Sequence, residues 1–197
     1  PLTLGRIADA GNRAAQYGTP MISDSAYFHL IQARIAALTQ RPLPKMQISA
    51  TAKADNKHKV IAQQYFQALH AAKQGNFTKA RQILTRLTAT NEHPALFQYS
   101  AAQTELASNH PQKAHDILRQ TLVLFPGNLS LIELYAESLL RLKKAESALR
   151  VLKTTLRKHP KQYQLYQPYA QAATALDQKA EAYRALAEFH YGQGNLH

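Results

Sequence analysis

The sequence predicts an all-α fold: a superhelix of about four stacked helix–turn–helix units, preceded by two N-terminal helices. Three observations predict it. The chain of 197 residues is 45% hydrophobic, holds only seven glycines and nine prolines, and is rich in alanine, leucine, glutamine and lysine, which are good helix formers. An alanine returns every 34 residues, at Ala80, Ala114, Ala148 and Ala182. Leu84, Leu118, Leu152 and Leu186 follow it by one helical turn, and Ala68, Ala102, Ala136 and Ala170 precede it by twelve residues. A small residue held at constant phase marks a close approach of two helices, and the leucine fills the space beside it. Third, the helix-stopping prolines Pro126 and Pro160 keep the same period as the packing residues.

The elements follow in order. Residues 1–40 read as an N-terminal linker or capping segment. Its first helix carries Leu4, Ile7, Ala8, Ala14 and Ala15 on one face and ends at Gly18-Thr19-Pro20. Ser23 or Asp24 caps a second helix, whose apolar stripe is Phe28, Ile31, Ile35 and Leu38. Arg41-Pro42-Leu43-Pro44 stops it, because proline lacks a donor and restricts its predecessor. Residues 41–59 are expected to be a polar loop or frayed helix start, and residues 60–197 the repeat array.

Repeat one spans 61–94, with helices over 60–74 and 78–89 and the turn at Gly75-Asn76, where glycine accepts the left-handed backbone that ends a helix. Repeat two spans 95–128, turns at 108–111 and stops at Pro126-Gly127-Asn128; repeat three spans 129–162. Repeat four spans 163–196, with Tyr166, Ala170, Ala173, Ala182, Leu186 and Phe189 in phase. A 34-residue helix–turn–helix unit has the length of a tetratricopeptide repeat. Gly194 lies where a further turn would fall, so the pattern predicts a continuing chain; the start at Pro1 reads as an excised segment or a mature product.

Composition and motifs exclude several kinds of chemistry. Without cysteine there is no disulfide, thiolate metal site or cysteine nucleophile. No apolar run approaches the roughly 20 residues that span a bilayer. Of the nine histidines, His110 and His115 do not share a helix face as an i, i+4 pair would, while His93 and His159 each precede a proline at a repeat end. They read as structural or exposed groups. No Gly-x-Ser-x-Gly elbow and no phosphate-binding glycine loop occurs, and Asp9, Asp24 and Asp55 read as caps or solvated groups. The net charge of +12 favours acidic partners or anionic surfaces. The aromatic motifs of RNA-binding sheets and the basic zipper are missing, so nucleic acid is not the expected partner.

Function is therefore sought on the surface of the stack. In such a stack the first helix of each unit lines the concave side. Its inward positions are Tyr65, Leu69 and Lys73 in repeat one, and Leu96, Tyr99, Gln103 and Leu106 in repeat two. Repeat three supplies Glu133, Glu137, Leu140 and Arg141, and repeat four Gln164, Gln167 and Gln171. Tyrosine and leucine offer apolar area, and the glutamines can hydrogen-bond an extended backbone. The Lys/Asn clamp that holds a C-terminal carboxylate in chaperone-binding repeats is not reproduced. A basic stripe, Arg150, Lys153 and Arg157, extended by Lys143, Lys144, Lys158 and Lys161, falls on a second helix and is expected on the convex side. There it could meet an anionic membrane surface.

The opening Pro1-Leu2-Thr3-Leu4-Gly5-Arg6-Ile7-Ala8-Asp9, then Asn12-Arg13-Ala14, resembles the segment after the catalytic domain in periplasmic zinc metalloproteases of the BepA/YfgC type. The stretch from Asp24 through Ala26, Tyr27, Phe28, His29, Leu30, Ile31, Gln32 and Ala33 to Arg34 is similar to the next helix of that family, and the ending Gly192-Gln193-Gly194-Asn195-Leu196 to a turn before its final helices. The resemblance implies a C-terminal accessory region in the periplasm of a Gram-negative bacterium. Its partners would be outer-membrane assembly machinery, unfolded β-barrel substrates and its own protease domain. The zinc would sit in the catalytic domain, because this chain has no His-Glu-x-x-His motif and no His-Glu dipeptide. The other expectation is a free-standing repeat scaffold or adaptor unrelated to proteolysis.

Overall fold

The computed structural model describes residues 26–43, 53–90 and 92–194. The helix expected near residues 4–17 lies outside them. Within the described residues are nine α-helices: α1 (Ala26–Thr39), α2 (Lys53–Lys73), α3 (Phe77–Ala89), α4 (Pro94–Ala107), α5 (Pro111–Leu124), α6 (Leu129–Arg141), α7 (Ala145–Lys158), α8 (Tyr166–Ala175) and α9 (Lys179–Gly192). A short 3-10 turn, Tyr163–Leu165, leads into α8. The helices pair as α2/α3, α4/α5, α6/α7 and α8/α9; each packs on its chain neighbours, and each first helix touches the first helix of the next pair. This is the tetratricopeptide superhelix.

The phased alanines make it possible. Ala68, Ala80, Ala102, Ala114, Ala136 and Ala148 are wholly buried, and Ala170 and Ala182 nearly so. Leu84, Leu118 and Leu152 fill the adjoining space from α3, α5 and α7. Removing such a leucine leaves a cavity and costs about 2–5 kcal/mol.

The four intra-pair turns share one backbone motif. Gly75, Asn109, Lys143 and Asp177, each 34 residues on from the last, have φ of 79, 60, 58 and 56°. After each comes the same pair of bonds: Asn76 N–H to Ala71 O at 2.9 Å, His110 to Glu105 at 2.8 Å, Lys144 to Leu139 at 2.9 Å, and Gln178 to Ala173 at 2.9 Å, with a shorter-range bond inside each. This is a Schellman cap, which satisfies the last carbonyls of the first helix. Asn76 and Asn128 then open α3 and α6 by accepting from the backbone N–H of Lys79 and Leu131, while Pro94 and Pro111 occupy first turns where a missing donor costs nothing.

Two expectations change. Residues 53–59, read as part of a loop, form the first two turns of α2, and Lys57 pairs with Glu92 at 2.5 Å across the next interhelix connection. No proline or glycine interrupts residues 53–59, so nothing in the sequence stops the helix there. The expected stripe on α1 is also reversed. His29, Leu30, Ala33, Ala36 and Ala37 are buried, whereas Phe28, Ile31, Ile35 and Leu38 are exposed. Alanines give the closest approach to α2, so they face it and the bulky residues look outward.

Candidate binding groove

The placement of α1 decides the shape of the concave side. Tyr27 at its start meets His93 just before α4, with ring centroids 5.7 Å apart. Leu38 near its end accepts a hydrogen bond from Lys73 Nζ at the end of α2, at 2.6 Å. Thus α1 runs in the same direction as the first helices and lies against their inner face. Arg34 holds it there: its Nη1 donates to the Tyr65 hydroxyl at 3.1 Å, and its guanidinium sits 5.1 Å from the centre of the Tyr99 ring. Tyr65 and Ser100 share a further hydrogen bond of 2.8 Å.

Two clefts remain along this face. One, of about 390 Å³, is bounded by Leu38 of α1, Leu69 and Lys73 of α2, Gln103 and Leu106 of α4, and Glu137 and Arg141 of α6. The other, of about 230 Å³, lies between Tyr27, Ile31 and Arg34 of α1 and Leu96, Tyr99 and Leu131 of α4 and α6. Of the residues expected to point inward, the first cleft gathers Leu69, Lys73, Gln103, Leu106, Glu137 and Arg141, and the second Leu96 and Tyr99. Leu106 is almost wholly buried and contributes floor.

Tyr65 is not part of the accessible groove. It is 0% exposed and packs edge-on against Phe97, because α1 covers it. Leu140 packs beside Leu139, Ala148 and Ala172 in the core between α6, α7 and α8. Gln164, Gln167 and Gln171 are exposed and lie outside both clefts. Arg34, Tyr27, Ile31 and Leu38 are groove residues that repeat-position reasoning misses, since α1 stands outside the 34-residue register. The signal was present in the sequence: three alanines on one side of a short helix mark its packed face by the same logic as the repeat alanines.

The electrostatics of the groove are mixed. Arg141 donates to the Leu106 carbonyl at 3.0 Å and pairs with Glu137 at 2.7 Å, which fixes its position across the first cleft. Glu133 has its carboxyl held above the usual range, first by desolvation and then by repulsion from Glu137. Tyr99 is likewise raised, chiefly by burial, with Arg34 acting the other way. Acceptors, donors and apolar walls thus alternate along a channel open to solvent.

The basic stripe is not a plain outer face. Arg150 is exposed, but Lys153 pairs with Glu181 of α9 at 3.4 Å and, with Arg157, borders a cleft between α7 and α9. Lys143 stands at the left-handed turn position. Among the described residues, no group of three or more His, Cys, Asp or Glu side chains is arranged to hold a metal ion, and no described helix is long and apolar enough to cross a membrane. His110 and His115 go to separate places: His110 Nδ1 lies 3.0 Å from Ser108 Oγ, and His115 stacks on Tyr135. The described residues carry no catalytic constellation.

Comparison with known proteins agrees with this architecture. Among solved structures, the MamA RS-1 ArsTM double mutant is similar, with a TM-score of 0.58 and 16% identity over 67% of this chain and 74% of that one, a likeness of fold. No curated protein matches the sequence. The family model described as Tetratricopeptide repeat matches residues 17–193, nearly the whole array together with α1. The chain belongs to the tetratricopeptide-repeat family, and it is a protein–protein interaction scaffold.

Proposed function

We propose that the concave channel captures unfolded polypeptide, and that the chain is the accessory region of a periplasmic zinc metalloprotease of the BepA/YfgC type. The observation that carries capture is the channel itself. Exposed Ile31 and Leu38 of α1 line the clefts with Leu96 and Leu69, and Gln103, Glu137 and Arg141 add polar groups. A strand destined for a β-barrel alternates apolar and polar side chains. Such a strand can lay its apolar residues against α1 while its backbone meets the polar side chains of α4 and α6. The two-signed charge gives selectivity for register without demanding one sequence.

The link to proteolysis is supported by the resemblance of residues 1–14 and 24–34 to the region behind the catalytic domain in that family. On this reading the zinc and the hydrolysis belong to a preceding domain, and the scaffold delivers substrates or contacts outer-membrane assembly machinery. The open reading frame that encodes Pro1 tests it. A His-Glu-x-x-His domain and an export signal upstream are expected, with zinc-dependent cleavage of unfolded barrel protein that weakens when the repeat array is deleted. An open reading frame with neither leaves a free-standing adaptor and overturns the protease assignment.

A further inference from the structure

On the other side of the stack, away from the concave channel, α7, α8 and α9 enclose a cleft of about 370 Å³. Leu156 and Ala185 form an apolar floor, Tyr166 a wall, and Lys153, Arg157 and Arg184 a cationic rim. Glu181 is the one carboxylate in the lining. It is already engaged: it accepts a hydrogen bond from the Tyr169 hydroxyl and pairs with Lys153 at 3.4 Å. Those contacts hold its carboxyl below the usual range, the Tyr169 bond foremost, so it is ionised and bonded within the wall. Tyr166 is anchored to the Pro160 carbonyl at 3.2 Å, which keeps its ring upright at the edge of the cleft.

The consequence is a division of labour among the cations. Lys153 is matched to Glu181, and the Arg184 charge adds a longer-range attraction to that carboxylate, but no direct ion pair or hydrogen bond within the described residues occupies the guanidinium of Arg157 or Arg184. Two arginines lining one cleft with an apolar floor offer charge-assisted bonds to a carboxylate that also presents a hydrophobic neighbour. We propose that this cleft is a second docking site, for an acidic peptide segment: a carboxylate between Arg157 and Arg184, with an adjacent apolar side chain on Leu156 and Ala185. A membrane surface suits it less. An anionic bilayer needs a flat or protruding basic face, while this site is recessed and carries Glu181 in its wall. Charge complementarity with a partner, on a chain of net charge +12, gives the same direction.

The test must separate the cleft from the general charge of the protein. A fluorescein-labelled peptide of alternating serine and glutamate with one central leucine is titrated by anisotropy at 0.15 M salt. The Arg157→Gln/Arg184→Gln double variant removes two positive charges at the cleft, and Arg86→Gln/Arg119→Gln removes two from exposed positions on α3 and α5. All four are surface substitutions, so melting should be unchanged. Loss of charge-assisted bonds predicts at least about tenfold weaker binding for the cleft variant and about twofold or less for the control. A second peptide, with its only carboxylate at the C-terminus, is compared free and amidated. Binding of the free form alone assigns the cleft to chain ends, and equal weakness of both assigns it to acidic side chains; each requires the Arg157/Arg184 dependence. Equal weakening by the two double variants, no binding of either peptide, or an Arg157/Arg184 dependence seen only with phosphatidylglycerol vesicles overturns the proposal.

Discussion

The same repeat position meets three different surroundings along the stack. Tyr65, Tyr99, Glu133 and Gln167 stand 34 residues apart, on α2, α4, α6 and α8. Tyr65 is wholly buried beneath α1, Tyr99 is half-buried under the Arg34 guanidinium, and Glu133 and Gln167 are exposed. The chemistry follows the cover: an aromatic where a helix lies on top, a carboxylate and an amide where solvent does. Repeat register therefore fixes the direction in which a side chain points. What it meets there is fixed by α1, which no periodicity announces.

That contrast can be broken by mutation. Tyr65→Ala removes a buried ring packed on Phe97 and leaves Ser100 and Arg34 short of a partner. It should cost about 3–5 kcal/mol in denaturant unfolding, against about 0.5 kcal/mol or less for Gln167→Ala. Similar losses at the two sites would mean that α1 does not cover α2. At the other end, the Tyr163 ring occupies the space where a Cβ on Gly192 would lie, so Gly192→Ala should cost about 1–3 kcal/mol by overpacking. A neutral result would show that α9 ends short of Tyr163.

The turns give a smaller effect of opposite sign. Lys143 bears a side chain at φ 58°, where glycine is unstrained, so Lys143→Gly should stabilise by up to about 1 kcal/mol, while Gly75→Ala at φ 79° should destabilise by about as much. Thermal melts of the pair check both signs.

The smallest expected effect is in pH dependence. Glu181 has a depressed carboxyl in the folded state, so its contribution is present above the ordinary carboxylate range and is lost as pH falls through its folded value. Glu181→Gln should be less stable than the parent at neutral pH and converge with it in acid. Glu133 is raised by desolvation, so native protein holds its proton longer than unfolded chain and stability falls as pH rises through that window. Glu133→Gln should flatten that part of the profile, a sign opposite to Glu181.

The sequence reads unevenly for physical reasons. Buried alanines and their leucines are legible because close helix approach tolerates little else. The second, third and fourth turns are harder to see: Asn109, Lys143 and Asp177 adopt the backbone that Gly75 adopts freely, because the Schellman bonds and the packed pair outweigh the local strain. The groove is half legible. Leu69, Gln103, Glu137 and Arg141 follow from position within a repeat, but Arg34 and Leu38 come from a helix outside the register. The cleft between α7 and α9 was visible only as a basic stripe, since Arg184 joins Arg157 across an inter-repeat contact that spacing does not encode.

The central claim, that the inner face bordered by α1 receives polypeptide, is tested most directly by site-specific photocrosslinking. Benzoylphenylalanine is placed at Gln103, exposed within the larger concave cleft, or at Arg119, exposed on α5, and each protein is irradiated with an unfolded β-barrel polypeptide. The account predicts adducts from position 103 that disappear when Leu38→Glu is added, and background yield from position 119. Equal yields from both positions, or adducts at 103 indifferent to Leu38→Glu, would contradict it.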